Sequence, residues 1–236
     1  MLYNNGQEVK IELRKYLSDK ITNFNLLRQM LVTLDKMPFE NKKKLIKTLK
    51  ECDYNEYAYK VAVNFKVLEK RTIEEQIKLM GALKECDYNE YAYGVAVNLS
   101  VLKYRTIEDQ IKLMGALKEC DYNENAYLVA VNLNVLKYRI IEDQIKLIKA
   151  LKEYDYNENA YLVAVNFDVL KNITIEEQIK LMKEIKICHG ENIEKIANLA
   201  EFKMYLEKLK KELGRDADVN NYTKVLRFKS ETKEEK

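Results

Sequence analysis

A chain of 236 residues, 47% of them apolar, can bury a sizeable core, and one Pro with six Gly leaves few breakers, which favours long helices. Lys plus Arg number 41 against 38 Asp plus Glu, a net +3, so the marked basic excess of many nucleic-acid-binding domains is missing and no acidic tail stands out. MLYNNGQEVKIELRKYL has no apolar core or cleavage-type residues of a signal peptide, and no run approaches the ~18 consecutive apolar residues of a membrane span; the expectation is an intracellular, cytoplasmic protein with no membrane partner.

Along the chain the dominant feature is a repeat. Residues 1–44 read as a degenerate N-terminal repeat or cap. In the register of the later repeats, Asp19 falls where Asp53 stands and Pro38 where Thr72 stands, and Pro is well suited to a helix start. Residues 45–78, 79–112, 113–146 and 147–180 then align without a gap. The second and third differ only at Tyr91/Asn125, Gly94/Leu128, Ser100/Asn134 and Thr106/Ile140. Residues 181–213 read as a degenerate C-terminal repeat and capping helix, and 214–236 as a charged, flexible tail.

Each repeat reads as two helices. The first is expected to start at DYNE, with Asp87 as N-cap and Glu90 reaching back, a pattern shared by Asp53/Glu56, Asp121/Glu124 and Asp155/Glu158. It then runs unbroken through YAYGVAVNLSVLK. The second helix starts at Thr72, Thr106 or Thr174; Ile140 lacks the capping hydroxyl. On a helical wheel the second helix is apolar over more than half its circumference, through Ile107, Ile111, Leu113, Met114, Ala116, Leu117 and Cys120. The first helix is apolar on two sides: Tyr88, Ala92, Val95, Leu99 and Leu102 on one, Tyr93, Val97 and Val101 on the other. A helix apolar on both sides needs neighbours on both sides, which stacked units supply. The expected fold is all-α, an αα-hairpin repeat solenoid.

The period and the two-helix unit, over residues 11–213, resemble tetratricopeptide repeats, although the Trp and turn Pro of that consensus are missing. The resemblance implies a right-handed αα-hairpin repeat solenoid, a superhelix that binds a protein or peptide on its concave face.

Little in the sequence points to catalysis. The single His189 adjoins Cys188, but neighbouring residues on a helix point apart, so the pair reads as structural. Cys52, Cys86 and Cys120 recur at one register position and read as small apolar fillers. DYNE has neither the ligand count nor the Gly of a calcium loop. No enzyme activity, cofactor or metal is expected.

Two features suggest contact with a partner. Asn64, Asn98, Asn132 and Asn166 recur inside the first helix, where an amide is a poor filler. On the wheel they lie beside the changing pairs Tyr57/Lys60, Tyr91/Gly94, Asn125/Leu128 and Asn159/Leu162. The row is either a strip that bonds an extended peptide or an internal ladder between helices. Two residues further on, Lys66, Ser100, Asn134 and Asp168 differ in every repeat, which fits partner selection or plain exposure. Tyr54, Tyr88, Tyr122 and Tyr156 read as core, whereas Tyr104 and Tyr138, near the turn, are contact candidates. The leading function is a non-enzymatic scaffold for a protein or peptide. Alternatives are a nucleic-acid-binding helical repeat and a mobile-element-type inhibitor that blocks another complex.

Overall fold

A computed structural model describes residues 24–187, and the chain divides into two compact units, 1–148 and 149–236. Residues 1–23 of the degenerate repeat or cap, Cys188, His189, the C-terminal capping helix and the tail lie outside the described residues. Every described element is an α-helix, which bears out the all-α expectation.

In the first unit, α1 (Phe24–Lys36) and α2 (Phe39–Glu51) precede two complete helix triplets. The first comprises α3 (Glu56–Val63), α4 (Phe65–Lys70) and α5 (Ile73–Glu85). The second comprises α6 (Glu90–Val97), α7 (Leu99–Tyr104) and α8 (Ile107–Glu119). A third begins with α9 (Glu124–Val131) and α10 (Leu133–Tyr138) and continues into α11 (Ile141–Glu153). The second unit repeats the theme with α12 (Glu158–Val165), α13 (Phe167–Asn172) and α14 (Ile175–Ile187).

Each repeat therefore holds three helices, not two, and the last is the longest. The expected long first helix is cut at the recurrent Asn. Asn98 has extended backbone, φ −68° and ψ 125°, and its side chain accepts from the N–H groups of Ser100 and Val101 at 2.9 and 3.2 Å. It is the N-cap of α7. Asn64 and Asn132 cap α4 and α10 in the same way, and Asn166 caps α13 by accepting from the Val169 N–H. The degenerate repeat supplies the contrast: Met30 stands at the equivalent position, and α1 runs through it without a break.

The helix starts at DYNE also differ from expectation. Asp87 and Tyr88 have φ of 52° and 53°, left-handed values that no N-cap adopts. They end α5 instead. The Asp87 N–H reaches the Lys84 carbonyl at 3.0 Å and the Tyr88 N–H reaches Leu83 at 2.8 Å, the paired bonds of a Schellman ending. Asn89 is the true N-cap, accepting from the Tyr91 N–H at 2.8 Å. Two adjacent non-Gly residues at positive φ are strained, and the arrangement recurs at Asp53–Tyr54, Asp121–Tyr122 and Asp155–Tyr156. The Tyr residues are consequently half-buried turn residues, not members of a helical core face. Within the first unit, the Tyr88 hydroxyl donates to the Cys52 carbonyl at 3.0 Å and that of Tyr122 to Cys86 at 2.8 Å.

The caps of the longest helices follow the sequence. Thr72 with Glu75 and Thr106 with Asp109 form capping boxes, and Thr174 and Glu177 exchange the same bonds. Pro38 is the N-cap of α2.

The core lies between the triplet members and, in the first unit, between triplets: α3 packs on α5 and α6, α6 on α8 and α9, and α5 on α8. Leu113, Met114, Leu117 and Cys120 are fully buried along α8, each large apolar side chain contributing about 1.5–3 kcal/mol. Cys52, Cys86 and Cys120 are buried free thiols; burial pushes those of Cys52 and Cys86 above the ordinary thiol range.

A polar tie also joins successive triplets. Gln110 is wholly buried. Its amide nitrogen donates to the carbonyls of Val95 and Ala96 at 3.2 and 3.4 Å, and its oxygen accepts from Arg71 Nε at 3.0 Å. Arg71 Nη2 continues to the Arg105 carbonyl at 2.6 Å. One repeat later, Arg105 Nε donates to Gln144 at 3.0 Å and Nη2 to the Arg139 carbonyl at 2.7 Å. Burial lowers the Arg105 pKa, but a guanidinium stays charged there. At the N-terminal end the tie is incomplete. Met37 occupies the Arg register position, and the buried Gln76 Oε1 has no hydrogen-bond partner.

Candidate functional site

Two neighbouring surfaces of the first unit collect the candidate residues. The first is made by the N-terminal helices of the triplets. Tyr57 meets Tyr93 with ring centroids 5.0 Å apart, and Tyr91 meets Tyr127 at 4.9 Å, both tilted at 36°. Each pair links adjacent repeats, α3 to α6 and α6 to α9, in geometry that favours aromatic contact. Lys60 lies over both rings of its pair, 5.1 Å from Tyr57 and 5.9 Å from Tyr93, and Glu56 holds its ammonium at 2.7 Å. Gly94 occupies the equivalent position at the next pair. A Cβ there would stand 2.7 Å from the Tyr127 hydroxyl, so the missing side chain lets Tyr127 settle against α6. Asn125 and Leu128, at the third repeat's equivalents of Tyr91 and Gly94, are half-buried.

The Asn row contributes less to this surface than its periodicity suggests. The oxygens of Asn64, Asn98 and Asn132 are engaged by the backbone two and three residues ahead. Among the described residues these oxygens bridge no pair of helices as ladder rungs. Their effect on a surface is indirect: by cutting the helix they set where the following six residues face.

Those six residues form the second surface. In α7, Val101 and Leu102 are buried while Leu99 and Lys103, four apart, share an exposed line. Ser100 and Tyr104 form the half-buried line beside it. In the third repeat Leu133 and Lys137 form the exposed line, beside half-buried Asn134 and exposed Tyr138. Leu99 is 50% exposed and Leu133 44%. Leu99 was expected on a buried face; the kink at Asn98 turns it outward. In α4, Lys66 is exposed as well. The helices α4, α7 and α10 lie side by side, so these positions recur along one surface. Tyr104 and Tyr138, named from the sequence, belong to it, and Lys103 sits 5.2 Å over the Tyr104 ring.

In the second unit, Asn159 is half-buried and Leu162 is exposed on α12, and Phe167 is exposed at the start of α13. Asp168 is the second residue of α13.

The sequence reading missed Leu99, Leu133, Lys103 and Lys137 as surface candidates. A signal existed: the residue after each recurrent Asn is always a large apolar one (Phe65, Leu99, Leu133, Phe167). Among the described residues no group of three or more His, Cys, Asp or Glu could hold a metal ion, and no helix is long and apolar enough to cross a membrane. No protein-family model, curated protein or solved structure matches the chain.

Proposed function

We propose that the chain is a tetratricopeptide-like α-solenoid acting as a non-enzymatic scaffold for a protein or peptide partner. The supporting observation is the recurrence, on side-by-side short helices, of exposed apolar side chains at matched positions, with polar neighbours that change from repeat to repeat. Such a surface offers anchors at a regular spacing and variation between them, which suits an elongated ligand better than a small molecule. The constant frame beneath it — the Arg–Gln ties, the Tyr–carbonyl bonds and the buried Leu and Met — holds neighbouring units in register.

The test is selection of ligands for the intact chain from a random-peptide phage library, with affinities measured by fluorescence anisotropy. Saturable binding that weakens when Leu99→Ser and Leu133→Ser are combined supports the reading. Failure to enrich any peptide, with salt-sensitive binding of single-stranded oligouridylate instead, replaces it with nucleic-acid recognition.

A further inference from the structure

We infer that the surface formed by α7 and α10 takes an acidic peptide carrying apolar side chains about 10 Å apart, the spacing of neighbouring packed helices. This deepens the scaffold reading and rests on it.

The charge pattern is the main ground. The segments LSVLKY of α7 and LNVLKY of α10 contain no carboxylate. Lys103 and Lys137 are exposed at their C-terminal ends. The acidic residues that follow in sequence are already engaged: Glu108 with Lys78 at 3.1 Å, Glu142 with Lys112 at 3.3 Å and Asp143 with Lys146 at 3.6 Å. Asp109 closes the capping box of Thr106. Lys103 and Lys137 form no ion pair among the described residues. Next to each cation, four residues back on the same helix line, stands an exposed Leu.

A ligand that matches this surface brings carboxylates to the two Lys and apolar groups to the two Leu. Single-stranded nucleic acid fits it less well. Its phosphates would find two cations, but the exposed Leu side chains offer no stacking platform and the Tyr104 ring already lies beneath Lys103, which leaves Tyr138 as the one exposed ring of the two helices, too few for successive bases. An extended peptide spans about 10 Å in three residues and a helix in about seven, so either form can present the anchors.

The experiment takes the peptides enriched on the intact chain and measures their affinity for Lys103→Glu/Lys137→Glu and for the milder Lys103→Gln/Lys137→Gln, with helicity checked by circular dichroism. The expected result is enrichment of Asp and Glu beside Leu, Ile or Phe, with binding weakened about tenfold or more by charge reversal. The Gln pair should fall in between, and exchanging Glu for Lys in the peptide should restore affinity for the reversed protein. Enrichment of neutral or basic peptides overturns the inference while leaving the scaffold reading standing, and so does acidic-peptide binding that charge reversal leaves unchanged. Binding of oligouridylate that depends on the two Lys overturns it in favour of nucleic acid. Enrichment of no peptide overturns both readings.

Discussion

An amide inside a helical stretch is poorly tolerated unless it replaces a backbone bond, and Asn98 does this by accepting from two N–H groups at once. Its value should therefore lie in the oxygen. Asn98→Ala is expected to destabilise the protein by about 1 kcal/mol, whereas Asn98→Ser, which keeps a capping oxygen, should cost a few tenths. Urea midpoints of the two variants measure the difference; equal losses would show that the amide nitrogen matters instead. Ile140 offers the converse experiment. It stands where Thr72, Thr106 and Thr174 cap, and it is 63% exposed, so little buried apolar surface is at risk. Ile140→Thr should add a hydroxyl acceptor at the start of α11 and raise stability by about 1 kcal/mol in the same assay.

At the scale of elements, the Arg–Gln tie is the feature that sequence reading passed over. Gln110 follows Glu108 and Asp109 in the chain, yet on the wheel it falls among Ile107, Leu113, Met114 and Leu117, so its place on the buried face was readable and its polar character hid it. The readable signal was spacing: Arg71/Gln76, Arg105/Gln110 and Arg139/Gln144 recur five apart, while the intervening Glu75 becomes Asp109. The cut at Asn98 was missed for a related reason. The apolar pattern carries on across it, and only Met30 in the degenerate repeat shows what an uncut helix requires. Replacing Arg105 by Met copies the N-terminal arrangement at an interior boundary. It strips donors from Gln144 and from the carbonyls of Leu136 and Arg139 and should cost about 2–4 kcal/mol in chemical denaturation. Met37→Arg should do the opposite, giving the unpartnered Gln76 Oε1 a donor and raising stability by about 1 kcal/mol. A Met37→Arg variant no more stable than the parent would mean that α1 and α2 cannot seat a guanidinium as the later repeats do.

At the scale of the whole molecule, the period, the all-helical class and the Thr caps were legible because they depend on local pattern. Which side chains face outward was not, because that depends on backbone direction at Asn98 and on the left-handed pair at Asp87–Tyr88. The same recurring turns make stability sensitive to alkali. Burial, with the contact between Tyr88 and Cys52 and that between Tyr122 and Cys86, holds both phenols above the ordinary range. Burial likewise raises the thiols of Cys52 and Cys86. For each group the neutral form is the one the fold favours. Above the ordinary thiol and phenol pKa values the unfolded chain has released these protons while the folded chain still holds them. Stability from this source is complete below that range, falls as pH climbs through it, and is lost once the folded-state groups ionise. The urea midpoint should accordingly be lower near pH 10.5 than near pH 8, since ordinary Cys and Tyr titrate at roughly 8.5 and 10. Tyr88→Phe/Tyr122→Phe should start less stable, having lost two hydrogen bonds, yet decline less between those pH values. A double variant that declines as steeply as the parent would assign the alkaline loss to the other groups that burial holds neutral, the thiols of Cys52 and Cys86 and the phenols of Tyr59, Tyr93, Tyr127 and Tyr154, and Cys52→Ala/Cys86→Ala would then separate the thiols from the phenols.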